Sequence, residues 1–252
     1  MRNHENCKKI TFSLGFLLMI SSLLSLPRPH DPDEAGRVQI LKSALTIDSS
    51  YRLFLVEDFE GERPWDFYRV DSFLAVTQFA ASVPKSEAFM QETNILKESG
   101  YTNLQNQTSF LLQSYVENPR LDHWEVRPKE PILLPLGMPI QGILWVYSEG
   151  HHINLSMGLS QKKSKDLYFD LGTLNFVGWR RLEFTISLPK ENTRLIQSMS
   201  FPISFSSFRL KSLTSQKKGE FHLYFDNLSF VIDKRTFIYP GSEVNDTWGK
   251  KR

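Results

Sequence analysis

Alternation of apolar and polar residues along residues 167–188 is the feature that most limits what this chain can fold into. Apolar side chains occupy every second position in Leu167–Leu171 and again in Leu182–Leu188. A period of two is typical of a strand with one buried face and one wet face. The residues between the two runs include two glycines. The segment therefore predicts two strands joined by a turn, as a hairpin.

The same period recurs along most of the chain, and 19 of the 252 residues are Phe, a residue enriched in strands. The alternation changes phase within 205–208 and again at Asp226–Asn227, which predicts a β-bulge at each place. A short helix is predicted in Arg37–Ile47. Pro84–Asn106 has no strand pattern and is interpreted as an inserted loop with one or two helical turns. These features predict an all-β fold, an antiparallel jelly-roll β-sandwich.

The N-terminus predicts export. Lys8 and Lys9 precede an uncharged apolar run, Ile10–Leu26, and prolines follow it. A basic head before a short apolar run is typical of a secretory signal peptide, and an uncleaved signal anchor is the alternative. The sole cysteine, Cys7, lies inside this leader. We expect a signal peptide at 1–27, a linker with a short helix at 28–50, the jelly-roll domain at 51–238 and a C-terminal tail at 239–252.

Charge argues against a nucleic-acid partner. Residues 1–26 hold three basic residues and one acidic residue, so the rest of the 30 basic and 28 acidic residues is 27 of each. A nucleic-acid-binding domain needs a basic surplus. We expect no nucleic-acid binding and no stable membrane insertion once the leader is removed. Catalytic signatures such as His-Glu-x-x-His are not found in the sequence, so the chain is predicted not to be an enzyme.

The residues from Leu171 to Arg180 read LGTLNFVGWR. This segment resembles the LG-x-LNF-x-GW-K/R signature of the spirochaete flagellar filament outer-layer (sheath) proteins, the FlaA family. The signature positions here are Gly172, Asn175, Phe176, Gly178 and Trp179. The resemblance is clearest over Gln141–Asp233.

The resemblance implies a structural protein of the periplasmic flagellum. Members of the family decorate a core of flagellin-like FlaB subunits and influence filament stiffness, curvature and motility. The implied partners are core flagellins and other sheath proteins. The candidate contact surfaces are the Pro84–Asn106 insertion, the Lys162–Lys165 tip and the Tyr239–Arg252 tail, because recognition is usually carried by loops on a rigid scaffold. Trp179 is predicted to anchor its strand in the core, and Gly178 to permit the turn before it.

The alternative function is an exported carbohydrate-binding module of the same fold, and a glycosidase ranks third. The strands near Glu60 and Asp226 resemble the terminal strands of such modules, in which carboxylates hold a structural calcium ion. Glu60 and Asp226 are therefore the candidate calcium ligands, and ordinary surface acids are the simpler interpretation. No other cofactor is expected.

Two further groups of residues were considered as sites. His151 and His152 are adjacent, so on a strand they would face opposite ways and could not easily share a metal ion. Tryptophans can stack on sugars, but burial in the core or an interface is the commoner role. Trp145 is predicted to be buried and Trp124 to be exposed.

Overall fold

The computed structural model describes residues 33–61, 63–69, 75–161, 166–186 and 203–235. The predicted signal peptide at 1–27, the Lys162–Lys165 tip and the tail at 239–252 lie outside these residues. The described part forms two helices and twelve strands: α1 (Asp33–Ile47), β1 (Tyr51–Glu57), β2 (Trp65–Arg69), β3 (Ala75–Ala80), α2 (Glu87–Glu98), β4 (Ser109–Val116), β5 (His123–Pro128), β6 (Ile132–Leu133), β7 (Met138–Glu149), β8 (Ile153–Gln161), β9 (Leu167–Thr173), β10 (Val177–Thr185), β11 (Ile203–Ser212) and β12 (Gly219–Asp233).

The strands form two antiparallel sheets. Sheet A has the order β10-β7-β12-β4-β3, with β1 also paired to β12. Sheet B has the order β2-β5-β11-β8-β9, with β6 also paired to β11. The chain passes repeatedly from one sheet to the other, as it does in a jelly roll. The predicted all-β, jelly-roll sandwich is confirmed.

The main core lies between the two sheets. On β12, Phe221, Leu223 and Phe225 face this core, and the inward phase resumes at Leu228 after a bulge. That bulge, and another between Phe205 and Ser207 on β11, lie where the sequence predicts them. The extra residues in a bulge shift the alternation of the strand while the strand stays in the same sheet. The apolar side chains on both sides of the bulge therefore still face the core.

A second apolar cluster covers part of the outer face of sheet A. Helices α1 and α2 pack there on residues such as Ile143 and Trp145 of β7. The predicted helix in Arg37–Ile47 is present and starts earlier, at Asp33. The segment Pro84–Asn106, interpreted as an inserted loop with one or two helical turns, contains the 12-residue helix α2, so its helix is longer than expected. Ser86 caps α2 by accepting a hydrogen bond from the Phe89 backbone N–H (3.2 Å), and burial on the sheet stabilises a helix of modest intrinsic propensity.

The predicted hairpin within residues 167–188 is wrong. Strand β9 pairs with β8 in sheet B, whereas β10 pairs with β7 in sheet A, so the two strands lie in different sheets. The intervening residues cross from one sheet to the other at the end of the sandwich. Alternation identifies each strand, but it contains no information on which strand is its neighbour.

Two strands were not predicted at all. Strand β2 starts at Trp65, and β5 covers His123–Pro128. Strand β3 covers Ala75–Ala80. Within the described ranges, no helix has the length and hydropathy needed to cross a membrane.

Candidate functional site

Three aromatic side chains lie together on the part of the outer face of sheet A that the helices leave open. Trp179 of β10 is opposite Tyr147 of β7, and Tyr147 is opposite Tyr224 of β12. The ring centroids of Tyr147 are 5.8 Å from Trp179 and 5.3 Å from Tyr224, and both pairs meet edge to face. All three side chains are half-buried. We call Tyr147, Trp179 and Tyr224 the aromatic patch.

Trp179 is therefore not the core anchor that the sequence predicts. It lies on the outer face of β10, where it packs beside the helix-covered cluster and remains partly exposed. The preceding Gly178 has φ +96°, in the region that favours glycine. Val177, two positions before Trp179 and on the same face, is 81% exposed. The patch thus continues as an apolar, accessible surface toward the end of β10.

The other signature residues link the two sheets. Leu174 and Phe176 are buried in the main core, whereas Asn175 between them is exposed. The Ser148 hydroxyl donates to the Leu174 carbonyl (2.6 Å), and the Gly150 N–H donates to the Phe176 carbonyl (2.8 Å). These contacts close the end of the sandwich next to the aromatic patch.

The backbone at the start of this link needs glycine. Gly172 has φ +94° at the end of β9, and its N–H donates to the Asp170 carboxylate (2.9 Å). A side chain at this position would be strained whatever the space around it. The signature therefore combines residues that shape the sheet-to-sheet link with one residue, Trp179, that reaches the surface.

A row of polar and charged side chains lies under α2, one step along the strands from the aromatic patch. In this row Arg181 of β10 is opposite Trp145 of β7, which is opposite Asp226 of β12. Glu92 of α2 pairs with Arg181, and its other oxygen accepts a hydrogen bond from Trp145 Nε1 (3.1 Å). Arg181, Glu92 and Asp226 are all essentially inaccessible to solvent. The helix thus covers charges as well as apolar side chains.

The two candidate calcium ligands lie at the end of this row. Burial, and then the negative charge of Glu60, raise the pKa of Asp226 well above its ordinary value. Glu60 lies in the β1–β2 loop and is half-buried. Its Oε1 accepts a hydrogen bond from the Gln107 N–H (2.7 Å), which ties this loop to the segment before β4.

The remaining sequence candidates are not brought together into a site. The His152 N–H donates to Gln216 Oε1 (2.6 Å), whereas His151 lies near Phe221, and burial lowers its pKa. Within the described ranges, no group of three or more His, Cys, Asp or Glu side chains is placed to hold a metal ion. Trp145 is buried as predicted, but the prediction that Trp124 is exposed is wrong, since only 1% of it is accessible.

Several site residues escaped sequence reasoning. Tyr147 and Tyr224 belong to alternating strands and look like ordinary outward-facing positions. The sequence could still have indicated them, because an aromatic residue occupies an outward-facing position of the alternation on both strands. Arg181 gave no signal, because its environment is created by α2.

Among solved structures, the chain is similar to carbohydrate-binding modules. The match with the family 11 module of the cellulosomal cellulase Lic26A-Cel5E of Clostridium thermocellum covers 72% of this chain and 95% of that module, with 14% identity and a TM-score of 0.43. For the family 29 module CBM29_1 of Piromyces equi, the shares are 73% and 91%, with 10% identity and a TM-score of 0.36. The sandwich itself is established by the strand pairing, and the assignment of family does not depend on these two structures.

Two sequence comparisons concern the family. The model of "Flagellar filament outer layer protein FlaA" matches residues 140–237, the region that supplies all three residues of the aromatic patch. The chain is also 23% identical over 188 residues to a "Putative flagellar filament outer layer-like protein" of Brachyspira hyodysenteriae, covering 72% of this chain and 86% of that protein. The family predicted from the signature is confirmed by these matches: residues 140–237 match the model of the FlaA flagellar filament outer layer proteins, and most of the chain is similar to a relative described in the same terms.

Proposed function

We propose that this protein is a structural component of the outer layer of the periplasmic flagellar filament in a spirochaete. It would coat a core of flagellin-like subunits, alongside other sheath proteins, and modulate filament curvature, stiffness and motility. The observation that carries the proposal is the FlaA match over residues 140–237, which includes most of β7 and all of β8 to β12. The role requires binding and rigidity, and it requires no catalysis.

The aromatic patch is the surface that we assign to the filament core. Tyr and Trp are enriched at the centres of protein interfaces, because they bury a large area at a small cost in side-chain entropy. Here they are half-buried on a rigid sheet, so little conformational freedom would be lost on binding. All three residues belong to the FlaA-matching region, which favours a family-specific partner over an incidental contact.

This assignment replaces the Pro84–Asn106 insertion as the leading contact surface. Much of that segment is helix α2, whose Phe89, Ile95 and Leu96 are buried against sheet A. Its outward side still contains Met90, which is 56% exposed. The helix therefore serves first to cover the sheet, and the open half of the same face remains available to a partner.

Replacing Trp179 with alanine is expected to abolish most binding to filament cores while leaving the protein folded. Because Trp179 is only half-buried, we expect the free energy of unfolding to fall by about 1–2 kcal/mol. Co-sedimentation with isolated filament cores measures binding, and urea denaturation measures stability.

The matched control is Leu133→Ala, which removes a 61% exposed apolar side chain from sheet B. This variant should bind filament cores like the unaltered protein. Full binding by Trp179→Ala, with Leu133→Ala equally unaffected, would show that the core does not contact the aromatic patch.

Deleting the gene is expected to leave filaments that are present but altered in diameter, curvature or stiffness, with impaired motility. A protein that coats a preformed core does not determine whether the core assembles. Electron microscopy of purified filaments and tracking of cells in viscous medium measure these effects. Restoring the gene with Trp179→Ala should not restore filament shape, whereas Leu133→Ala should. Loss of the filament altogether would indicate a role in the core or in export instead.

A carbohydrate-binding role is the second candidate, because sheet B has a groove on its outer face. The groove has a volume of about 700 Å³ and is lined by polar side chains that include Asn154, Tyr168 and Arg209. However, the Arg209 guanidinium lies 3.5 Å from the centroid of the Tyr168 ring and covers the face on which a sugar would stack. The two tryptophans of sheet B strands, Trp65 and Trp124, are buried. A glycan array tests this candidate directly, and binding that Arg209→Ala alters would favour it.

A further inference from the structure

The long strand β12 changes neighbours at Asp226 and Asn227. On one side it pairs first with β4, up to Phe225 opposite Phe110, and then with β1, from Leu228 opposite Glu57. Asp226 and Asn227 lie between these two ladders, in the bulge, and Asn227 has φ 41°. Strand β1 ends at Glu57 and β4 begins at Ser109, so neither strand pairs with Asp226 or Asn227, which leaves a gap in the ladder on this side of β12.

The side chains in this gap have few partners for their polar atoms. Asp226 is completely buried, and apart from a backbone hydrogen bond from Asn227 its carboxylate has no partner among the described residues. Asn227 is also completely buried, and both polar atoms of its amide are without a partner. Burying a polar group without a partner is costly, and burying an unpaired carboxylate costs far more. Such a pair of adjacent residues indicates that a ligand or ion is bound in the gap.

Further oxygen atoms surround the same place. Ser109 precedes Phe110 on β4, and Ser229 follows on β12; both hydroxyls are buried and without partners. Asn106 has φ 49°, its amide nitrogen donates to Thr93 Oγ1 (2.9 Å), and its oxygen has no partner. Apart from the Asn227 amide nitrogen, the unpartnered groups near Asp226 are therefore oxygens, with neither sulfur nor imidazole among them.

Glu60 adds a second negative charge to this region. The Thr108 hydroxyl bonds to the Phe59 carbonyl (3.0 Å), which holds the Glu60 loop against the start of β4. Phe59 has φ 58°, a left-handed conformation that is uncommon for a bulky residue and indicates a local constraint. Arg181, the buried cation at the other end of the same row, is engaged by Glu92 and Glu183. It does not balance the charges of Asp226 and Glu60.

We propose that a calcium ion binds between Asp226 and Glu60 and clamps the β1–β2 loop to β12. Calcium accepts six to eight oxygen ligands in a flexible geometry, which suits carboxylates supplemented by amide, hydroxyl or backbone oxygens and water. The ion replaces repulsion between two carboxylates with attraction to both. It joins β1, β4 and β12 at the point where the ladder between them is interrupted.

The test is thermal unfolding of the exported protein, purified without its leader, in calcium, magnesium or chelator. Calcium at a hundredfold excess over its Kd should raise Tm by about 5–10 °C relative to chelator. Magnesium should raise Tm less, because it requires near-ideal octahedral geometry and releases its water reluctantly. Calorimetric titration with calcium chloride should give one site per chain. No heat of binding together with no shift in Tm would overturn the proposal.

Variants assign the ion to its ligands. Asp226→Asn and Glu60→Gln keep side-chain size and remove one charge each, and both should abolish the calcium-dependent shift in Tm. Glu60 is half-buried, so Glu60→Gln is expected to fold even if Asp226→Asn does not. Glu220→Gln is the matched control, since Glu220 is exposed on the same strand. An undiminished shift in Glu60→Gln would refute the site, as would an equal loss in Glu220→Gln. These measurements need no filament, so their outcome is separable from that of the sheath proposal.

Discussion

Replacing Phe208 with alanine is expected to lower the free energy of unfolding by about 3–5 kcal/mol. Phe208 of β11 is completely buried, and its ring stacks on Phe225 of the opposite sheet with centroids 5.2 Å apart. It also contacts Phe205 at 4.9 Å and Trp65 at 6.0 Å. The substitution removes these contacts and leaves a cavity between sheets that cannot approach each other freely. Urea denaturation followed by tryptophan fluorescence and circular dichroism measures the loss.

Phe79→Ala provides the comparison for this prediction. The same substitution is made at Phe79 of β3, which is 37% exposed and lies at the edge of sheet A. We expect a loss of about 1 kcal/mol or less there. If the two variants lost equal stability, the interior between the sheets would not depend on Phe208, and the packing described for the main core would be wrong.

The strands of the sandwich could be predicted because each contains its own periodic signal. The alternation on β12 identifies the buried residues on both sides of Asp226–Asn227, and the change of phase identifies the bulge. Such signals are local, since they require only that one face of a strand be buried. Which strands are neighbours depends on contacts between residues that are distant in the sequence, and the alternation does not reveal these contacts. The predicted pairing of β9 with β10 is wrong for this reason.

Helix α2 shows a different limit. Its sequence, EAFMQETNILKE, places charged Glu92 on the same side as Phe89 and Leu96, so the apolar stripe is interrupted. Glu92 is acceptable there only because it meets Arg181 and Trp145 on sheet A. The two partners of Glu92 lie 53 and 89 residues away in the sequence, and a local pattern cannot reveal them.

The candidate sites divide in the same way. Glu60 and Asp226 could be selected from the sequence, because the segments around them resemble the terminal strands of carbohydrate-binding modules. The lack of partners around Asp226 appears only when β1 and β4 are seen to meet there. Trp179 was selected by its motif but expected in the core, because a Trp in an alternating strand does not reveal which face the other sheet covers.

Arg181 links the sheet to both helices. Its side chain pairs with Glu92 of α2, and its backbone N–H donates to Glu34 Oε1 of α1 (3.1 Å). Glu183, two positions along β10, is also paired with its guanidinium. Arg181 is 1% exposed and Glu92 is completely buried, so the pair is shielded from solvent. Removing one member of a buried pair leaves the other charge without compensation, which costs more than the pair itself contributes.

Arg181→Met is therefore expected to lower the free energy of unfolding by about 3–5 kcal/mol, whereas Arg180→Met, the same change at its exposed neighbour, should cost about 1 kcal/mol or less. Adding Glu92→Gln to Arg181→Met removes the stranded charge and keeps an acceptor for Trp145 Nε1, so the double variant should recover part of the loss. Urea denaturation of five proteins, the unaltered one, the three single variants Arg181→Met, Arg180→Met and Glu92→Gln, and the double variant, measures these differences. A double variant as unstable as the sum of the two single variants would show that the loss arises from packing rather than from the unpaired Glu92. Recovery would instead establish that α2 is attached to sheet A through a charge pair whose two members must be kept or replaced together.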